Sequence, residues 1–207
     1  MKSKTMKSKT IKKIFFFIVV LGCSFSYSQN SSSKKWYSTA DVEFINPFNV
    51  EYSYGIYSSQ YNARIGKTDE ITNAKPSFGV SYSFNYNLFK KLSVGLLTGY
   101  QSHARPDFSM IKIGGVIKYF FLDNNNVYTY INLANDYSLN KEQFKNGSNF
   151  RIGLGFPVLK RDGFNLNINA FWEQNFLRME GAKPLFDNET PDTTVLKSYG
   201  ISVGIKF

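Results

Sequence analysis

Chemistry needs titratable or nucleophilic side chains at a fixed spacing, and this sequence offers few. It has one histidine, His103, and one cysteine, Cys23. Ser102 precedes His103, and Asp107 and Ser109 follow it. A serine nucleophile needs its base within hydrogen-bond reach, whereas adjacent residues of a strand point to opposite faces. His103 falls at the end of an alternating segment, so an exposed loop histidine is expected. One His and one Cys cannot build a transition-metal site, so no metal and no cofactor is expected. The turn Asp123-Asn124-Asn125-Asn126 has the flavour of a calcium loop but lacks the Gly and the distal Glu, and turn chemistry explains it. No catalytic residue is assigned.

The remaining chemistry lies in eight charged residues: Asp41, Glu43, Asp136 and Glu173 against Lys112, Lys118, Arg151 and Lys206. Strand parity, developed below, puts all eight on one face. Four against four suggests an interior filled by ion pairs and hydrogen bonds, since charges shielded from water must be paired. The functional alternative is the selectivity lining of a small pore.

The elements that position these residues are strands. The chain has 207 residues, 43% of them hydrophobic and 17% aromatic, which excludes disorder and suits one domain. Its +10 charge is mostly a leader. Residues 1–28 carry six lysines and no acid, then a ten-residue apolar run from Ile14, then small residues at Ser26 and Ser28. That is an export signal cut near Ser28, too short to span a bilayer. Its removal leaves 179 residues at +4, so net charge gives no ground for nucleic-acid binding. The sequence around Cys23 offers lipidation as a second processing route. Residues 29–34 form a short lead, and the domain runs over 35–207.

Within that domain apolar residues recur at every second position. Tyr199, Ile201, Val203, Ile205 and Phe207 oppose Ser198, Gly200, Ser202, Gly204 and Lys206. Phe78 to Leu88, Leu92 to Tyr100, Ile111 to Phe121, Val127 to Leu133, Phe150 to Phe156, Phe164 to Trp172 and Trp36 to Phe44 repeat the pattern. Period-two alternation marks strands with two unlike faces. Eight strands and no helix are expected. Connections near 88–91, 122–126 and 159–163 are short, and those near 46–75, 139–148 and 178–196 are long, with a brief one at 103–107. Short and long connections taking turns mark an up-and-down antiparallel barrel across an outer membrane. Five of the six prolines fall in or beside connections. The stretch 50–57 alternates again, as a hairpin above the membrane or as one of two further strands, giving ten.

A soluble barrel would carry charges on its polar face. Here that face is mostly Gly, Ser, Asn and Thr, which suits the narrow interior of eight strands. Eight of the 15 glycines lie on it. The apolar face ends in aromatics: Trp36, Tyr86, Phe121, Phe164 and Phe207 toward one rim, and Phe44, Phe78, Tyr100, Trp172 and Tyr199 toward the other. Two such girdles mark two membrane interfaces.

The export signal, the eight alternating strands and the final Ser-Tyr-Gly-Ile-Ser-Val-Gly-Ile-Lys-Phe resemble small outer-membrane β-barrel proteins of the OmpA/OmpX type, and the Asn, Lys, Phe and Tyr usage resembles porin-family members from Bacteroidota. Ile205 and Phe207 are similar to the signal read by the outer-membrane assembly machinery. The resemblance implies a monomeric barrel in the cell outer membrane of a Gram-negative bacterium, in contact with membrane lipid and lipopolysaccharide. Some eight-stranded barrels act on lipid A acyl chains, and those deacylases resemble one another in a His-x-Ser element. Here the element reads His103-Ala104-Arg105. The expected function is structural or interactive, through surface loops over a filled lumen. A narrow diffusion channel is the alternative, and a lipid A-modifying enzyme ranks third.

Overall fold

The computed structural model describes residues 35–207 except 73, 123–125, 141 and 186–188. The leader, Cys23, the lead at 29–34 and most of the Asp123 turn lie outside the described residues.

Nine strands follow in order: β1 (Trp36–Ser58), β2 (Ala63–Glu70), β3 (Ser77–Phe89), β4 (Leu92–Ala104), β5 (Asp107–Phe120), β6 (Tyr128–Ser138), β7 (Asn146–Arg161), β8 (Phe164–Arg178) and β9 (Thr190–Lys206). Every pairing is antiparallel, and β1 also pairs with β9, so β1 and β3–β9 close a ring of eight. Closure removes the unpaired edges that an open sheet would expose. The seam runs to the last residue: Phe207 N–H donates to the Ser38 carbonyl at 3.0 Å, and Ser38 N–H to the Phe207 carbonyl at 2.9 Å. No helix occurs among the described residues. At the β7–β8 turn, Asp162-Gly163 makes a two-residue loop with Gly163 at φ +97°, a conformation that glycine adopts without strain.

The facing of the side chains inverts that of a soluble barrel. Leu96 is 73% exposed, Val42 64% and Phe78 64%, while Glu43 and Arg151 are each 4% exposed and Glu173 is fully buried. Of the ten aromatics expected at the strand ends, Trp36, Phe44, Phe78, Tyr100, Phe121, Phe164 and Tyr199 are exposed, and Tyr86, Trp172 and Phe207 are half-buried. Trp36 stands opposite Tyr86 at one end of the β1–β3 ladder and Phe44 opposite Phe78 toward the other.

The strands run further than the alternation indicated, and several expected boundaries need correcting. β1 continues to Ser58 and returns as β2, which pairs with its outer half alone. The result is an eight-stranded ring plus one strand of a protruding hairpin, rather than ten. The β6–β7 connection is 139–145, the β8–β9 connection 179–189, and β4 turns into β5 through two residues. Pro47 and Pro191 lie inside strands, each beside a register shift where a missing donor is tolerated.

The shift after Pro47 explains why the outer region was hard to read. Below it, odd residues of β1 point inward (Glu43, Ile45). Above it, even residues do (Val50, Tyr52, Tyr54). The apolar residues stay at even positions on both sides (Ala40, Val42 and Phe44; Val50, Tyr52 and Tyr54), but the bulge at Phe48 turns them from the outside of the ring to its inside. The apolar face of β1 therefore lies outside the ring below the bulge and inside it above.

Candidate functional site

The lumen is the one place where the charged residues converge. Inward positions form three layers, counted here from the end that carries the short turns.

The first layer is aromatic. Tyr37, Phe120, Tyr128 and Tyr130 are buried in one cluster with Ile45, Val116 and Phe171. Their rings fit because the facing strands carry glycine. Tyr128 stands opposite Gly155, Tyr130 opposite Gly153 and Phe171 opposite Gly200. A Cβ on Gly153 would sit 2.6 Å from the Tyr130 ring, and one on Gly155 or Gly200 would overlap its partner ring outright. These three glycines therefore make room for rings. Lys118 extends over the Tyr37 and Tyr128 rings and reaches Thr39 Oγ1 at 3.3 Å and Ser83 Oγ at 3.4 Å. Lys206 lies 4.3 Å from the Tyr37 ring centre, a cation–π distance. Asp41 accepts from Asn169 Nδ2 at 2.8 Å.

The middle layer is a buried ion network. Arg151 on β7 grips Glu43 on β1 with both terminal nitrogens, at 2.6 and 2.7 Å. It also donates to Glu173 on β8, from Nε at 3.0 Å and Nη2 at 2.7 Å. Lys112 on β5 reaches the same Glu173 oxygen at 3.0 Å. Gln101, Asn149 and Asn175 donate to Glu173 at 3.0, 3.3 and 3.3 Å, and Ser81 donates to Glu43 at 2.7 Å. Arg151 stacks 3.9 Å from the centre of the Phe171 ring. Two carboxylates and two cations thus neutralise each other across the barrel axis, with neutral amides filling the remaining acceptor sites.

The structure brings four of the eight charged residues into this network: Glu43, Lys112, Arg151 and Glu173. Asp41, Lys118 and Lys206 belong with the aromatic layer. Asp136 is fully buried in register with Lys112, and neither of its oxygens has a hydrogen bond.

His103 needs a correction. It is an inward residue of β4, 1% exposed, not a loop residue. Its Nε2 lies 2.7 Å from Gln101 Nε2, which makes the amide the donor and puts the ring proton on Nδ1. It shares the parity of Gln101, and the strand runs one residue beyond it. Ser102 faces outward, 3.5 Å from Ser109 Oγ. His103 and Ser102 therefore do not form a base–nucleophile pair.

The third layer is an apolar cap that parity had not revealed. Val50, Tyr52, Tyr54, Phe108, Met110, Phe144, Leu177, Met179, Ala182 and Leu196 are buried together over the network. Tyr52 donates to Glu189 at 2.6 Å, tying the cap to the β8–β9 connection. Between the first two layers there remains a gap of about 30 Å³, bordered by Asp41, Lys118, Asn132 and Arg151, with room for about one water. Chemically, the arrangement closes a lumen. No group of metal-ligating side chains occurs among the described residues.

No protein-family model matches the sequence, and no curated protein sequence matches it. Several solved structures are similar in shape. The outer membrane protein OprG from Pseudomonas aeruginosa aligns with TM-score 0.46 and 14% identity, over 83% of this chain and 95% of that one. Neisserial surface protein A aligns with TM-score 0.44 and 15% identity, over 84% of this chain and 96% of that one. A barrel from the de novo design of transmembrane β-barrels aligns with TM-score 0.40 and 12% identity, over 82% and 95%.

Proposed function

We propose that this protein is a monomeric β-barrel of the bacterial outer membrane, of the small OmpA/OmpX type, with a closed lumen and a structural or interaction role carried by its outer surface. The membrane reading is supported by the apolar exterior, the two aromatic girdles and a strand pattern that inverts at the outer rim. The terminal strand, ending in Ile205 and Phe207, is what the assembly machinery would read, and the leader is what would export the chain.

The observation that carries the closed lumen is the stack of three filled layers. A diffusing solute would have to pass the apolar cap, part Arg151 from two carboxylates and displace the rings seated over Gly153, Gly155 and Gly200. Charges buried in this way are costly to separate.

The test is conductance. The full chain is expressed in a Gram-negative host, purified from its outer membranes and inserted into planar bilayers. Insertion without discrete conductance steps is the expected result. Reproducible steps that scale with salt would overturn the closed lumen in favour of a narrow diffusion channel.

A further inference from the structure

Closure of the ring leaves one strand with a free edge. β2 pairs with β1 alone, and its backbone bonds to no other segment among the described residues. All eight of its residues are exposed. β1 stays paired with β9 as far as Gly55, so the β1–β2 hairpin continues the barrel wall outward. Just past β2, Ile71 N–H donates to the Val50 carbonyl at 2.8 Å. Hydrogen-bonded pairs alternate along an antiparallel ladder. The odd residues of β2 therefore bond to β1, and Arg64, Gly66, Thr68 and Glu70 turn their N–H and C=O groups to the open side.

Sheet edges are normally protected by proline, by a bulge, by shortness or by charge. β2 has no proline, and its ladder with β1 runs over eight pairs without a register shift. Its charges are ordered along the strand: Arg64 and Lys67 come first, Asp69 and Glu70 last. A parallel strand of the same sequence sets like against like. An antiparallel one sets the basic half against the acidic half. Residues directly opposite share a face, so odd must meet odd and even must meet even. Centred on Thr68, this register puts Lys67 of each copy opposite Asp69 of the other, Ile65 opposite Ile71, and Thr68 opposite itself. Glu70 falls opposite Gly66 and diagonal to Arg64. No like charges stand opposite, and opposite charges and paired threonines both stabilise such a ladder. Asp69 accepts from the Tyr54 hydroxyl through Oδ2, which leaves Oδ1 for a lysine.

We propose that β2 pairs edge to edge with β2 of a second copy, antiparallel and centred on Thr68. The proposal rests on the membrane reading above and names the partner that the outer surface takes. The two-fold axis of this pairing stands normal to the hairpin sheet, so it reverses the strand and with it the barrel axis. Two barrels in one membrane point the same way and cannot pair in this manner. The second copy therefore sits in a facing membrane, and the contact is an adhesion between two surfaces. Each barrel stays single within its own membrane.

The full chain is purified from outer membranes and inserted into phosphatidylcholine vesicles carrying either a donor or an acceptor dye. Heat-shifted gel migration shows that each variant is folded, and energy transfer between the two vesicle populations follows clustering. Transfer should rise when both populations carry the protein and not when one is bare. Thr68→Pro removes an N–H on the open side and spares the β1 ladder, and it should slow clustering roughly tenfold or more. Lys67→Asp and Asp69→Lys, each tested against itself, set like charges opposite and should do the same. Mixing Lys67→Asp vesicles with Asp69→Lys vesicles restores both opposite pairs, and clustering should return. Lys160→Asp, at the short-turn end, should change nothing. Clustering that survives Thr68→Pro, or a mixture that fails to recover, would overturn the pairing. Equal clustering with bare vesicles would assign the adhesion to lipid and overturn it too. A chain that never inserts would overturn the barrel reading and the pairing with it, whereas inserted barrels that leave the vesicles apart would overturn the pairing alone.

Discussion

Arg151→Met should be the most damaging single change in the lumen, and the geometry says which second change should repair it. The guanidinium holds Glu43 through two bonds of 2.6 and 2.7 Å and Glu173 through two more of 3.0 and 2.7 Å. Methionine roughly keeps the volume and removes the charge. Glu173 would still have Lys112 at 3.0 Å and three amides. Glu43 would keep Ser81 alone, at 2.7 Å, and so would become a buried, unpaired carboxylate. Breaking a buried pair from one side costs about 3–5 kcal/mol. At about 1.4 kcal/mol per factor of ten, the folding constant should fall by between about 10² and 10³·⁵.

Adding Glu43→Gln removes the stranded charge, and the double variant should regain about half of the loss or more. Adding Glu173→Gln instead leaves Glu43 stranded and frees Lys112 from its carboxylate, so it should regain nothing. The assay is equilibrium urea unfolding of the vesicle-inserted protein, followed by the fluorescence of Trp36 and Trp172, both of which face outward and lose lipid on unfolding. A loss below about 1 kcal/mol for Arg151→Met would mean a wet, screened network and a lumen open to solvent. Equal rescue by Glu173→Gln would refute the assignment of the stranded charge.

Two further outcomes follow from the same structure. Gly155→Val should block the seating of the Tyr128 ring and cost about 1–3 kcal/mol or prevent folding, and Tyr128→Ala should restore heat-shifted gel migration in the double variant. Ala40→Arg, at an exposed apolar position midway between the girdle residues Trp36 and Phe44, should cost about 2–4 kcal/mol in the vesicle assay, as a lipid-facing charge near the midplane does. A negligible effect there would argue that water, not lipid, covers the exterior.

Much of this fold was legible because an apolar exterior around a polar interior makes each strand two-faced. Val203 and Ser202 could be assigned to opposite sides from neighbouring letters alone. The limits came where that asymmetry changes. The bulge at Phe48 reverses the facing of β1, so Val50, Tyr52 and Tyr54 look like a continuation of the apolar outer face although they line the cap. His103 differs from expectation for a related reason: the connection is expected to begin at 103, whereas β4 runs to Ala104 and His103 keeps the inward parity of Gln101. In the lumen, parity put eight charges on one face without saying which would meet. Arg151 and Glu173 stand on adjacent strands in direct register. Arg151 and Glu43 are three strands apart, and their contact follows from closure of the ring, which no local pattern encodes.

The layering also says where this molecule can respond to its surroundings. The apolar cap keeps bulk water from the ion network, which strengthens the network and raises the cost of parting it. The cap in turn is held by burial of Phe108, Phe144, Leu177 and Met179, each contributing about 1.5–3 kcal/mol. The loops over it are joined by Lys145–Glu180 and Lys183–Glu142, which are exposed pairs and hold weakly. Resistance therefore rises inward, from loop pairs to cap to network. A salt or lipid change should move the loops and the rim near Arg178 long before it reaches Glu43 and Glu173. A pore would need the opposite order, with its weakest contacts along the axis. Because the weakest contacts here lie at the outer surface, that surface is where a partner could act without first unfolding the barrel.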